Sequence, residues 1–320
     1  MSRPARALGL LLGYAADVAL GDPRRGHPVA LFGRSAQAVE RELYGDSRSR
    51  GLAYTVLMVG TATGLGAAVQ RAVRHSPLLE GTAVAVATWT VLGGRSLVRE
   101  ADVMTGLLAG PDLPAARSRL SHLCSRDARA LSEAELVRAS VESVAENTSD
   151  AVVAPLFWGV LAGVPGLFGY RAVNTLDAMV GYRDERYQRF GWASARLDDA
   201  ANWVPARVAA ALTTLAAPAV GGGVAHARTV WVRDGSAHPS PNAGRVEAAF
   251  AGALGVRIGG TSTYANGSQD RGVLDGGRPV ELGDLARAAR LSRTVGACAA
   301  GLATAAALAG AAATKAVRRG

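Results

Sequence analysis

Residues 52–69 read LAYTVLMVGTATGLGAAV, and residues 294–314 read TVGACAAGLATAAALAGAAAT. Neither stretch carries a charge. A bilayer core about 30 Å thick needs roughly 20 mostly apolar residues per crossing helix, and a soluble helix of that length normally shows a polar stripe. Here the polar side chains are scattered hydroxyls and one thiol. Four further runs follow the pattern less strictly: Ala7–Leu20, interrupted by Asp17, then Gly81–Gly94, Ala151–Tyr170 and Val208–Ala225. Six apolar runs in 320 residues predict an all-α fold. It would be a polytopic integral membrane helical bundle, a single membrane-embedded domain over residues 1–320, with polar helical loops forming the active site.

Composition agrees. Hydrophobic residues make up 49% and charged residues 19%, below the roughly 25% charged of soluble chains. The apolar content is mostly Ala, Val and Leu with 39 glycines, which suits close helix packing in lipid. Cys124 and Cys298 match neither a disulfide framework nor a metal spacing. The net charge of +9 raises the question of nucleic acid. The arginines are scattered among 26 acids with no basic run or aromatic platform, so no nucleic-acid partner is expected. Lys315 is the one lysine. A P-loop and Schiff-base chemistry both need a lysine inside a site, so phosphate would fall to Arg, backbone N–H groups or a metal. The N-terminal run imitates a secretory signal, but Asp17 inside it and Gly21-Asp22-Pro23 after it argue against cleavage.

The polar segments 22–51, 95–150, 171–207 and 226–293 carry the chemistry. Residues 132–150 read SEAELVRASVESVAENTSD. Ser132 and Glu135 form a capping box. Glu142, Glu146 and Asp150 recur at i, i+4, i+8 on one helical face, beside Asn147. They stand either as a solvated acidic face or as a site that a cation compensates. They border the apolar run 151–170, where ionisable groups usually serve function. In residues 174–207, Asp198 and Asn202 are one turn apart with Asp199 adjacent, hard oxygen donors suited to Mg²⁺ held with a phosphate. Ser240-Pro241-Asn242-Ala243-Gly244 is a turn feeding a helix N-terminus that could bind an anion. His27, before Pro28, is equally a turn residue or a base. Residues 265–280 read as a flexible loop, and His75, His122, His226 and His238 form no ligand pattern.

The blocks GDPRRGHPV (21–29), RSLVREA (95–101), RD (126–127), RASVESVAENTSDAVVAPLFW (138–158), 170–207 and SPNAGRVEAAFAGALGVRIGG (240–260) resemble the adenosylcobinamide-phosphate synthase family, the CobD/CbiB proteins of cobalamin biosynthesis. The resemblance covers most of the chain and implies a multi-pass protein of the bacterial cell membrane. It implies ATP-dependent amide ligation of adenosylcobyric acid with (R)-1-amino-2-propanol O-2-phosphate, giving adenosylcobinamide phosphate. A carboxylate does not acylate an amine unaided, so an acyl phosphate formed with Mg²⁺-ATP is expected. On that reading Arg126, Arg196 and Arg207 clamp phosphate, while Glu146, Asp198 and Asp199 hold Mg²⁺. Glu142 or Asp177 accepts the amine's proton. Asn147, Asn174 and Asn242 orient amides on the corrin rim, and His27 is a further substrate contact. The expected partners are these small molecules, the lipid bilayer and other enzymes of the pathway.

A transporter or sensor that binds a cation through intramembrane carboxylates is the alternative. It would place its acids inside the spans, whereas nearly all of them here lie outside. The enzyme reading requires the polar segments to face the cytoplasm or a cavity open to it. One or both of Ala151–Tyr170, with Pro155 and Pro165, and Val208–Ala225, with Pro218 and Gly221-Gly222-Gly223, are therefore expected to be re-entrant or broken.

Overall fold

The computed structural model describes residues 3–22, 26–182, 184–264 and 267–317. Pro23, Arg24, Arg25 and Arg183, from the family-like blocks, lie outside the described residues, as do Ala265 and Asn266. Along the chain run α1 (Arg3–Leu20), α2 (Pro28–Leu43), α3 (Arg48–Val73), α4 (Pro77–Val91), α5 (Gly94–Leu108), α6 (Leu113–Leu120) and α7 (Glu133–Thr148). Then come α8 (Ala154–Ala162), α9 (Val164–Val180), α10 (Trp192–Ala216), α11 (Val224–Asp234) and α12 (Ala243–Leu254). Strands β1 (Val256–Tyr264), β2 (Gly267–Asp275) and β3 (Arg278–Pro279) precede α13 (Leu282–Val317).

The fold is mostly helical, but the all-α expectation needs correcting, because β1 pairs with β2 antiparallel and with β3 in parallel. The expected flexible loop at 265–280 is in large part this hairpin. Its root is held by Val256, Ile258 and Leu274, all buried, and apolar burial outweighs the turn-like composition of β2.

Among the described residues, three helices are long and apolar enough to cross a membrane: Arg48–Val73, Trp192–Val220 and Leu282–Ala309. They contain the runs 52–69, 208–220 and 294–309. Of the two runs of which one or both were expected to be broken, Val208–Ala225 continues α10 as far as Val220 and turns only at Gly221, whose φ is +78°. Pro205 inside α10 has no N–H for the carbonyl of Ala201. The Trp158 indole donates to that carbonyl instead, at 3.1 Å, so the helix survives. Ala151–Tyr170 is broken as expected. Residues Ser149–Val153 form a π-helical turn ahead of Pro155, α8 is nine residues long, and Gly163 reverses the chain at φ +69°. The same π turn takes Asp150 off the α-helical repeat of Glu142 and Glu146.

The chain divides into two compact units. The first comprises residues 1–93, 154–202 and 299–320. In it α1 packs on α4 through Gly9 and Gly13. A Cβ at Gly13 would sit 2.6 Å from the Ala85 carbonyl oxygen, so only glycine permits this approach. A second core joins Ala36, Tyr54, Met58, Leu176, Val180 and Phe190. The second unit comprises residues 94–153 and 203–298. There α7 begins at the capping box expected of Ser132 and Glu135 and packs with α5, α12 and β1. Helix α12 is buried along most of its length.

Candidate active site

In the second unit, one face of α7 presents Arg138, Glu142 and Glu146 at successive turns, and the first two grip β1. Glu142 accepts from the Gly259 amide at 2.7 Å, and Arg138 donates to the Gly259 carbonyl and, at 3.1 Å, to that of Thr261. Gly259 has φ +86°, and a Cβ there would lie 2.1 Å from the Gly272 carbonyl oxygen, so the bulge between Gly259 and Thr261 depends on glycine. The other Glu142 oxygen pairs with Arg126, and both side chains are almost fully buried. Burial pushes the Glu142 carboxyl up, but Arg126, the Gly259 amide and Arg271 together hold it below its ordinary value.

Beside this pair, β2 delivers Arg271. Its guanidinium donates to Glu247 of α12 at 2.7 Å and approaches Glu146 at 3.8 Å. Glu247 is completely buried, and its Oε2 has no hydrogen-bond partner. Burial raises its carboxyl above the ordinary value. His238 Nε2 lies 3.8 Å from Glu247 Oε1, and its Nδ1 accepts from the Ser240 amide at 2.9 Å. A neutral ring therefore carries its proton on Nε2, toward Glu247. Burial and Arg271 lower His238 to about 4. Ser240 Oγ accepts from the amides of Asn242 and Ala243, closing the turn that enters α12.

Of the expected residues, Arg126, Glu142, Glu146, Asn147, Arg207 and Asn242 belong to this unit. Asn147 donates to Ser143 of its own helix at 2.9 Å. Arg207 donates to the Trp203 carbonyl at 2.6 Å and stacks over the Trp203 ring at 4.1 Å. Glu247, Arg271, His238 and Arg138 are additions. Arg271 was hidden in the presumed loop and His238 in an unpatterned set, whereas Arg138 lies one turn before Glu142, a spacing visible in the sequence.

The first unit holds His27, Asn174, Asp177, Arg196, Asp198 and Asp199. Asn202 joins Tyr170 (2.9 Å) to Asp198 (3.0 Å), and Asn174 and Asp177 lie against the same carboxylate. Asp198 Oδ1 is buried without a hydrogen-bond partner. Arg196 and Asp199 approach to 3.7 Å at the surface. His27 caps α2, its Nδ1 accepting from the Val29 amide at 3.1 Å. Among the described residues, no three His, Cys, Asp or Glu side chains are grouped to hold a metal by themselves. The Asp198 donor set still fits Mg²⁺, which commonly takes one or two carboxylates and completes its shell with water and substrate phosphate.

The family model for the CobD/Cbib protein matches residues 10–292. The chain belongs to the CobD/Cbib family. A relative from Mycobacterium tuberculosis, named Cobalamin biosynthesis protein CobD, is 53% identical over 298 residues, 93% of this chain and 95% of its own. Relatives of the same name from Geobacter metallireducens and Rhodobacter capsulatus are 47% and 39% identical, covering 78% and 89% of this chain and 80% and 92% of their own. No solved structure matches. Arg126, α7 from Arg138 onward, and α12 through Gly260 all come from blocks that carry the resemblance to this CobD/Cbib family.

Proposed function

We propose that this chain acts in cobalamin biosynthesis as adenosylcobinamide-phosphate synthase, joining adenosylcobyric acid to aminopropanol phosphate at the expense of ATP. The observation that carries this reading is the convergence of three family-like blocks on one buried network, Arg126–Glu142–Gly259 and Arg271–Glu247–His238. A lysine-poor chain that handles phosphorylated substrates depends on arginine, and buried acids hold these two guanidinium groups in place. In the other unit Asp198 and Asp199 are proposed as Mg²⁺ ligands. Mg²⁺ bound there with ATP would neutralise charge during phosphoryl transfer. Arg196 and Arg207 are proposed phosphate contacts. Asp177 is a better proton acceptor than Glu142, both of whose oxygens are engaged. The three apolar helices support a place in the bacterial cell membrane, with the site open to the cytoplasm, where ATP is found.

Purified chain given adenosylcobyric acid, aminopropanol phosphate, ATP and Mg²⁺, with each left out in turn, should form amide only in the complete mixture. Asp198→Asn should lower turnover by more than about 100-fold. Amide formed without ATP would refute the ligase reading. Full turnover in Asn variants at both Asp198 and Asp199 would remove the metal assignment.

A further inference from the structure

The buried network of the second unit has one carboxylate more than its two ion pairs use. Arg126 pairs with Glu142, and Arg271 with Glu247. Glu146 is left with the 3.8 Å approach of the guanidinium that Glu247 holds at 2.7 Å. Its side chain is 41% exposed, against 1% for Glu142 and 0% for Glu247. Two further buried polar atoms of the network have no hydrogen-bond partner, Glu247 Oε2 and His238 Nε2. Burial and the Glu247 charge raise the Glu146 carboxyl above its ordinary value against the opposing pull of Arg271, His238 and Arg126, so a cation arriving at its exposed edge would favour the ionised form.

We propose that Glu146 is the recognition carboxylate for the primary ammonium of the amine substrate, and that Glu247 is a positioning residue that keeps Arg271 from neutralising it. This rests on the ligase reading for the identity of the amine. The Arg271 guanidinium lies 3.8 Å from this carboxylate, and its charge repels a divalent ion about twice as strongly as a monovalent ammonium. An ammonium needs one ionised acceptor and polar surroundings, which this edge of α7 provides. Releasing Arg271 from Glu247 would let it close on Glu146 and displace the ammonium.

The test is equilibrium binding to the full-length chain in lipid nanodiscs, without ATP or corrinoid. Two probes are compared, aminopropanol phosphate and isopropyl phosphate, which lacks the amine. The unmodified chain should prefer the amine at least tenfold. Glu146→Gln should bring the two within about twofold, and Glu146→Asp should retain a reduced preference. Glu247→Gln, where thermal melting shows it folded, should weaken amine binding severalfold and leave isopropyl phosphate unchanged. A tenfold preference surviving in Glu146→Gln, or no preference in the unmodified chain, overturns the proposal. Failure of the ligase reading looks different: no amide forms in the complete mixture, although the amine preference and its loss in Glu146→Gln persist. If amide does form and Glu146→Gln keeps its preference, this inference alone falls.

Discussion

At the scale of single residues, the second unit is governed by charge taken out of water. Glu142 and Arg126 are tolerable there because each supplies the other's counter-charge and the Gly259 amide takes the remaining oxygen. Removing one partner leaves a bare buried charge, which costs about 3–5 kcal/mol. Glu142→Gln should therefore lower the chemical-denaturation midpoint in detergent by that equivalent, whereas exchange of the exposed Arg189, paired with Asp46, should change it by less than about 1 kcal/mol. His238 stays neutral in the folded chain down to about 4, while an unfolded chain protonates it near 6.5. Between those values the unfolded state binds more protons, so stability should fall as pH drops from about 6.5 toward about 4. The loss is on the order of 1–3 kcal/mol. His238→Asn, whose amide oxygen can still accept from Ser240, should flatten that part of a melting-temperature profile. An unchanged slope would mean that other groups carry it.

At the scale of elements, two irregularities are held by specific partners. The β1–β2 hairpin reaches α7 through Gly259, and no other residue fits its φ and the nearby Gly272 carbonyl. Gly259→Ala should destabilise the protein by well over about 1 kcal/mol and expose the hairpin to limited proteolysis, because Arg138 and Glu142 would lose their backbone partners. In α10, Pro205 is affordable because the Trp158 indole satisfies Ala201. Trp158→Phe keeps the ring but drops the N–H. It should cost about 1–3 kcal/mol and speed amide exchange around residues 201–207. Exchange as slow as in the unmodified chain would show that the carbonyl had found water or another donor.

At the scale of the whole molecule, the chain is interleaved: α8, α9 and the start of α10 belong to one compact unit, and α5 to α7 with α11, α12 and the sheet to the other. Among the described residues, three helices suffice in length and apolarity to cross a membrane, and the ligase reading requires the polar blocks to meet cytoplasmic substrates. In a background lacking Cys124 and Cys298, Arg186→Cys and Arg129→Cys each replace an exposed side chain. An impermeant thiol reagent should label each from the cytoplasmic side. Labelling of either from the opposite side would exclude an active site open to ATP at that block.

What could be read without coordinates was whatever repeats or caps locally. Three of the six apolar runs mark helices long and apolar enough to cross a membrane, Ser132 and Glu135 mark the start of α7, and Pro155, Gly163 and Pro165 the break in 151–170, because chain length, capping and proline sterics act over a few residues. The blocks around 142 and 198 likewise stand out by residue type, as clustered carboxylates and amides. Tertiary structure decided the rest. It turned a Gly- and Asp-rich stretch into β2, since the benefit of pairing and burial comes from β1 and α12. It drew Arg271 and His238 into a network with Glu247, from 24 and 9 positions away in the chain. It also assigned Glu146 to one compact unit and Asp198 to the other. Buried charges choose partners by where the backbone brings them, and no local pattern records that.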